Sequence, residues 1–122
     1  MLHNVASIRP FIGAQNFNES RRFYSDLGFR ETAVLPNMSL FALDRFAFYL
    51  QDAYIKEWVD NTMVFLEVNN VEQRWKDVEA LDLPGRYKNV RVLPIRTYDW
   101  GREFFVHDPS GVLWHIGEFT KR

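Results

Sequence analysis

The chain has 122 residues, 47% of them hydrophobic and 25% charged, with a formal net charge of −1. This is the composition of a soluble globular protein, sized for one domain (1–122) or two small halves sharing a core, and its charge balance speaks against a general nucleic-acid binder. No cysteine is present, which excludes disulfides, thiolate nucleophiles and cysteine-ligated zinc.

The segment MLHNVASIRPF lacks the basic start and apolar run of a signal peptide. No apolar stretch approaches the ~18 residues of a membrane span. The expectation is a cytoplasmic protein without membrane association. Aromatic residues make up 16% of the chain, as eleven Phe, five Tyr and four Trp. So small a chain cannot bury them all, so some are expected to line a pocket or an interface.

In chain order, VASIRPFIGA (5–14) reads as a strand with Ile8, Ile12 and Ala14 on one face and Arg9, Phe11 and Gly13 on the other. Pro10 makes it an edge or irregular strand. In NFNESRRFYSDLGF, Asn16 can cap a helix and Glu19 can complete a capping box. Phe17, Phe23, Tyr24 and Leu27 form its apolar face, and Gly28 suits the left-handed residue that ends it. Strands follow near 29–35, 38–43 and 45–51, with turns at Pro36-Asn37 and Asp44-Arg45. Residues 52–61 read as a linker.

The pattern then restarts. TMVFLEV (62–68) is a strand, and NNVEQRWKDVEAL is a capped helix with Val71, Trp75, Val78 and Leu81 on its face. Three more strands are expected near 88–95, 101–107 and 112–118. The two halves align at an offset of 54, from Asn16 to Asn70, as a repeat of pattern rather than of residues. The fold class is therefore α+β, with two βαβββ modules at about 5–51 and 62–118. One helix covers one face of each small sheet. The other face must curl around a ligand, the other half or a partner chain.

This architecture, with FNESRRFYSDLGF as first helix and VHDPSGVLWHI as closing hairpin, resembles the vicinal oxygen chelate superfamily of glyoxalase I, extradiol dioxygenases and bleomycin resistance proteins. The pairing of WGREF (100–104) with DPSG (108–111) looks most like the bleomycin resistance branch. The resemblance implies four metal-ligand positions on the concave faces, which fall on Arg9, Phe48 (give or take one or two residues), Met63 and His115. Arg has no lone pair to offer, Phe has no donor atom and a thioether is a soft ligand. A catalytic zinc site wants about three protein ligands. The resemblance therefore implies no metal, no cofactor and no catalytic residue. It implies instead a homodimer that sequesters a small molecule, a bleomycin-type antibiotic, in interface clefts and so confers resistance. The alternative is a metal-dependent lyase or dioxygenase of the same superfamily with a rearranged site. A metabolite binder of the same fold is a third reading.

The expected ligand-binding residues are Phe48, Phe65, Trp58 and Trp100 as ring surfaces, with Arg9, Arg102 and His115 as polar contacts. Five of these have a plainer reading. His115 can be a strand histidine bonded to a neighbour, and Arg9 can pair with Glu67. Arg102 and Glu103 can form a surface ion pair worth well under ~1 kcal/mol. Trp58 and Trp100 can be surface or dimer contacts, although flat rings beside carboxylates also suit a planar, cationic guest. His107 is expected to be exposed, and Trp75, Phe17 and Trp114 to be core. No G-x-S-x-G, P-loop or G-x-G-x-x-G is present.

Overall fold

The computed structural model describes residues 3–121. The first half runs β1 (Phe11–Gly13), α1 (Phe17–Asp26), β2 (Arg30–Leu35), β3 (Met38–Leu43) and β4 (Phe46–Gln51). A short helix, α2 (Lys56–Asp60), separates it from β5 (Met63–Glu67) and α3 (Val71–Ala80). The chain closes with α4 (Leu83–Arg86), β6 (Arg91–Val92), β7 (Arg96–Tyr98), β8 (Gly101–His107) and β9 (Leu113–Phe119).

The two halves repeat one topology. The first sheet has the order β1-β4-β3-β2 and the second β5-β9-β8-β6, with β7 also on β8. In each, the first strand pairs in parallel with the last, and the rest is antiparallel. The long helices start alike. Asn16 Oδ1 accepts the Glu19 N–H at 3.0 Å and Asn70 Oδ1 accepts the Gln73 N–H at 3.1 Å, so each cap satisfies a backbone donor that the first turn leaves without a partner. The strand and helix order is that of paired βαβββ modules.

Strand alternation divides each sheet into a helix-side face and an open face. On the helix side, Ile12, Phe41, Phe48 and Leu50 of the first sheet and Phe104, Val106, Trp114 and Ile116 of the second are buried in a single core with α1 and α3 residues such as Phe23, Tyr24, Val71 and Val78. Tyr24 joins the halves. Its hydroxyl donates to Asp108 Oδ2 at 2.6 Å and accepts from Trp114 Nε1 at 2.9 Å. Asp108 Oδ1 accepts the N–H groups of Ser110, Gly111 and Val112, each at 2.9 Å. The DPSG turn is thus built around one buried carboxylate. Trp114 lies on the face opposite His115, as alternation requires.

Local chemistry departs from the expected elements in four places. The first strand has only three ladder residues, and Ile8 is 94% exposed instead of sharing the core face with Ile12. Pro10 offers no N–H, and its carbonyl accepts from Tyr49 at the edge of the sheet. The linker ends in α2, closed by an exposed Lys56–Asp60 pair. The strand expected at 88–95 is two short pieces, β6 and β7, flanking Pro94. The short helix α4 follows α3, with Pro84 in its first turn, where a missing N–H costs nothing. Phe17 and Trp75 are partly buried against the core rather than within it, and the Trp75 Nε1–H donates to the Leu93 carbonyl at 3.0 Å.

Candidate ligand-binding site

The open face of the second sheet collects the residues best suited to hold a ligand. Residues in register across a sheet point to the same side. Phe65 on β5 is opposite His115 on β9, which is opposite Phe105 on β8. Phe119 is opposite Gly101, with Trp100 just before it. The rings of Phe65 and Phe119 stack at 5.5 Å, those of Tyr98 and Trp100 at 5.5 Å, and Trp100 lies 5.4 Å from Phe119 and 6.0 Å from Phe65. These four side chains are 38–43% exposed. His115 stacks beyond Phe65 at 6.2 Å and meets the edge of Phe105 at 4.8 Å. So large an apolar surface left uncovered by either long helix is what a flat guest or a partner surface requires.

Two glycines make the wall possible. A Cβ on Gly117 would lie 2.8 Å from Phe65 Cζ and 3.2 Å from Glu103 Cβ, so its missing side chain is the space into which both fit. Gly101 has φ of 156°, and a Cβ there would meet the Glu118 carbonyl at 2.1 Å. It lets the chain turn from Trp100 into β8.

Phe65 also borders a second, apolar cleft of about 330 Å³ between the two halves. Its lining includes Pro10, Phe29, Phe46, Phe48, Val64, Leu66 and Trp114. Phe48 is therefore a floor residue of this cleft. It is 3% exposed and faces the helix side, away from the aromatic wall.

The remaining expected residues separate. Arg102 points to the helix side, where its guanidinium approaches Glu72 at 4.0 Å and Glu118 at 3.9 Å, and Glu118 accepts the first N–H of α3 from Val71. Adjacent strand residues face opposite sides, so Arg102 does not pair with Glu103. Arg9 lies on the first sheet's open side and donates to the Tyr49 hydroxyl at 3.0 Å, 5.7 Å from the centre of its ring, rather than to Glu67. Trp58, on α2 and 71% exposed, lines a different groove with Phe11, Ile55 and Val59. His107 is half-buried opposite Arg91, and burial, then the neighbouring guanidinium, lowers its pKa.

The aromatic wall thus brings Phe65, Trp100 and His115 together. Tyr98, Phe119, Phe105 and Glu103 join them, four residues outside the set expected from the sequence. Strand parity from His115 reaches Phe119 directly. Glu103 required the register between β8 and β9. Glu103 is buried, and its Oε1 lies 2.9 Å from His115 Nδ1.

Comparison with known proteins places this geometry. No protein-family model matches the sequence, and no curated protein matches it. Solved structures do. The bleomycin-binding protein from bleomycin-producing Streptomyces verticillus, in complex with copper(II)-bleomycin, superposes with a TM-score of 0.80 at 17% identity, covering 98% of this chain and 100% of that one. The antibiotic-binding protein TnmS3 from Streptomyces sp. CB03234 gives 0.75 at 15% identity over 98% and 100%. Lactoylglutathione lyase from Agrobacterium tumefaciens gives 0.69 at 16% identity over 93% and 94%. The fold is the one shared by these bleomycin-binding, antibiotic-binding and lactoylglutathione lyase structures.

The residues at the positions that the resemblance implies for metal ligands do not fit a divalent cation. Parallel pairing matches Phe11 with Tyr49 and Phe65 with His115, so the position equivalent to His115 is Tyr49, one residue beyond Phe48. The four positions then hold a guanidinium, a phenol engaged by that guanidinium, an exposed thioether and one imidazole. Among the described residues, no three His, Asp or Glu side chains cluster as a metal site.

Proposed function

We propose that the protein is a non-catalytic binder of flat small molecules of the bleomycin type, sequestering them against the aromatic face of its second sheet. The observation that carries this reading is the set of four half-exposed rings, Phe65, Tyr98, Trp100 and Phe119, on a sheet face that neither long helix covers. The fold shared with proteins that bind copper(II)-bleomycin and other antibiotics supports it. The donor set above speaks against the metal-dependent lyase or dioxygenase alternative. A second copy of the chain completes the cleft, covering the open apolar faces. The role is cytoplasmic drug resistance by stoichiometric binding.

Titration with metal-free and copper-loaded bleomycin tests this. Tryptophan fluorescence is expected to be quenched saturably at about one ligand per chain. Trp100→Ala is expected to weaken binding by ~1–3 kcal/mol, about five- to a hundred-fold. Absence of quenching by either form at high micromolar concentration would rule out drug sequestration.

A further inference from the structure

The aromatic wall holds a buried carboxylate bonded to an imidazole, the pair Glu103–His115, and its hydrogen bonding bears on what the wall can recognise. A recognition role for this pair rests on the wall being the ligand site proposed above. Glu103 is only 6% exposed, yet it lies on the open face, between Arg96 on β7 and Gly117 on β9 in register. Among the described residues its carboxylate has one hydrogen-bond partner, His115 Nδ1 at 2.9 Å. Arg96 extends over the Phe105 ring instead, 5.9 Å from its centre.

An ionised carboxylate can only accept hydrogen bonds. At 2.9 Å the donor in this contact is therefore the ring nitrogen, as Nδ1–H. A neutral imidazole carrying its proton on Nδ1 presents a lone pair at Nε2, the ring atom turned away from Glu103. No described residue bonds to Nε2. The ring is also held in place, stacked beyond Phe65 and edge-on to Phe105.

We propose that Glu103 is a positioning residue that fixes His115 in the Nδ1–H tautomer, so that Nε2 is the acceptor by which the wall selects aromatic ligands carrying an N–H or O–H donor at the ring edge. An aromatic wall alone would take any flat ring. The pair makes it discriminate between a heteroaromatic donor and the same ring with that donor blocked, because the blocked ligand leaves Nε2 desolvated without a partner.

Two measurements test this. Two-bond proton–nitrogen correlation on nitrogen-15-labelled protein at about pH 8.5, above the ordinary imidazole range, reads the tautomer without any ligand. The His115 signals, assigned by their loss in His115→Ala, are expected to be those of Nδ1–H. In Glu103→Gln the carboxamide can donate to Nδ1, so the signals are expected to move toward Nε2–H. Saturation-transfer titration with indole and 1-methylindole reads the selectivity. Wild type is expected to favour indole by on the order of five- to tenfold, one hydrogen bond's worth, and both Glu103→Gln and His115→Ala to bring the ratio close to one.

A wild-type His115 found as Nε2–H overturns the proposal whatever binds, and the tautomer itself is read on the unsubstituted protein. An Nδ1–H tautomer with equal affinity for the two indoles overturns the selective role. If neither indole binds, the selective role falls, while bleomycin quenching decides the aromatic site separately. Indole selectivity without bleomycin quenching leaves the proposal standing and removes only the drug reading, whereas bleomycin quenching with an Nε2–H tautomer does the reverse.

Discussion

Tyr24 shows how much one polar atom can decide. Its hydroxyl is fully buried, donates to Asp108 and accepts from Trp114. Burial, then the nearby carboxylate, pushes the phenol well above its usual range, and burial likewise raises Asp108 against the hydrogen bonds that pull it down. Tyr24→Phe keeps the ring but leaves an acceptor and an N–H without a partner. It is expected to destabilise the protein by ~1–3 kcal/mol in chemical denaturation, and an unchanged midpoint would show that the two halves are not joined through this bond. Glu31 gives a pH-dependent counterpart. Burial tends to raise its carboxyl, but hydrogen bonds from Arg21 and Ser39 outweigh that and hold it below the usual carboxylate range. The folded value lies below the unfolded one, so the stabilisation is present above the unfolded carboxylate range and is lost as pH falls through the folded value. With Arg21 partly exposed, Glu31→Gln should cost about 1 kcal/mol or less near neutrality, and its deficit relative to wild type should shrink as pH falls from about 6 toward about 3. A deficit that stays constant would mean the ion pair contributes nothing.

Among the elements, the helix starts were the most legible, because a cap is a local device. An Asn three residues before a polar residue needs only its own neighbours to satisfy the first turn. Asn16→Ala and Asn70→Ala are each expected to cost about 1 kcal/mol, measured by thermal or chemical unfolding, and the doubly substituted protein should show the sum, since the two caps share no partner. A single variant with wild-type stability would show that its helix start is held by tertiary packing instead. The short elements were less legible. The ladder needs a neighbour as well as a propensity, so the segment before Phe11 reads as strand from its alternation yet gains only three ladder residues at the sheet's edge. At Pro94 the missing N–H splits one expected strand into β6 and β7.

At the scale of the molecule, helices cover only one face of each sheet. The other faces carry Met63, Phe65, Trp100 and Phe119 on the second sheet and Phe11 on the first, all substantially exposed. If these surfaces are completed by a second copy, the protein should be a homodimer burying on the order of 1,500 Å² or more in total. Light scattering is expected to give twice the chain mass at micromolar concentration, and a monomer mass there would remove the shared cleft while leaving the aromatic wall in place.

The sequence by itself determined the repeat, the two long helices with their caps, the closing hairpin and the side of it on which His115 falls. All of these follow from periodicity, turn chemistry and alternation, whose range is a few residues. Only the tertiary structure decided which residues share the site with His115. Glu103 lies twelve residues from His115, and both plausible partners, Arg102 and His115, are charged or polar. The β8–β9 register sends Arg102 to the helix side and brings Glu103 to the imidazole. Phe65 and Phe119 come from β5 and β9 and Trp100 from the turn before β8, and their contact depends on β5 pairing in parallel with β9, a long-range choice that no local pattern encodes. Which residue matches His115 in the first half was undecided for the same reason. A one-residue change of register moves a side chain to the other face, and that is the difference between Phe48 in the core and Tyr49 beside Arg9.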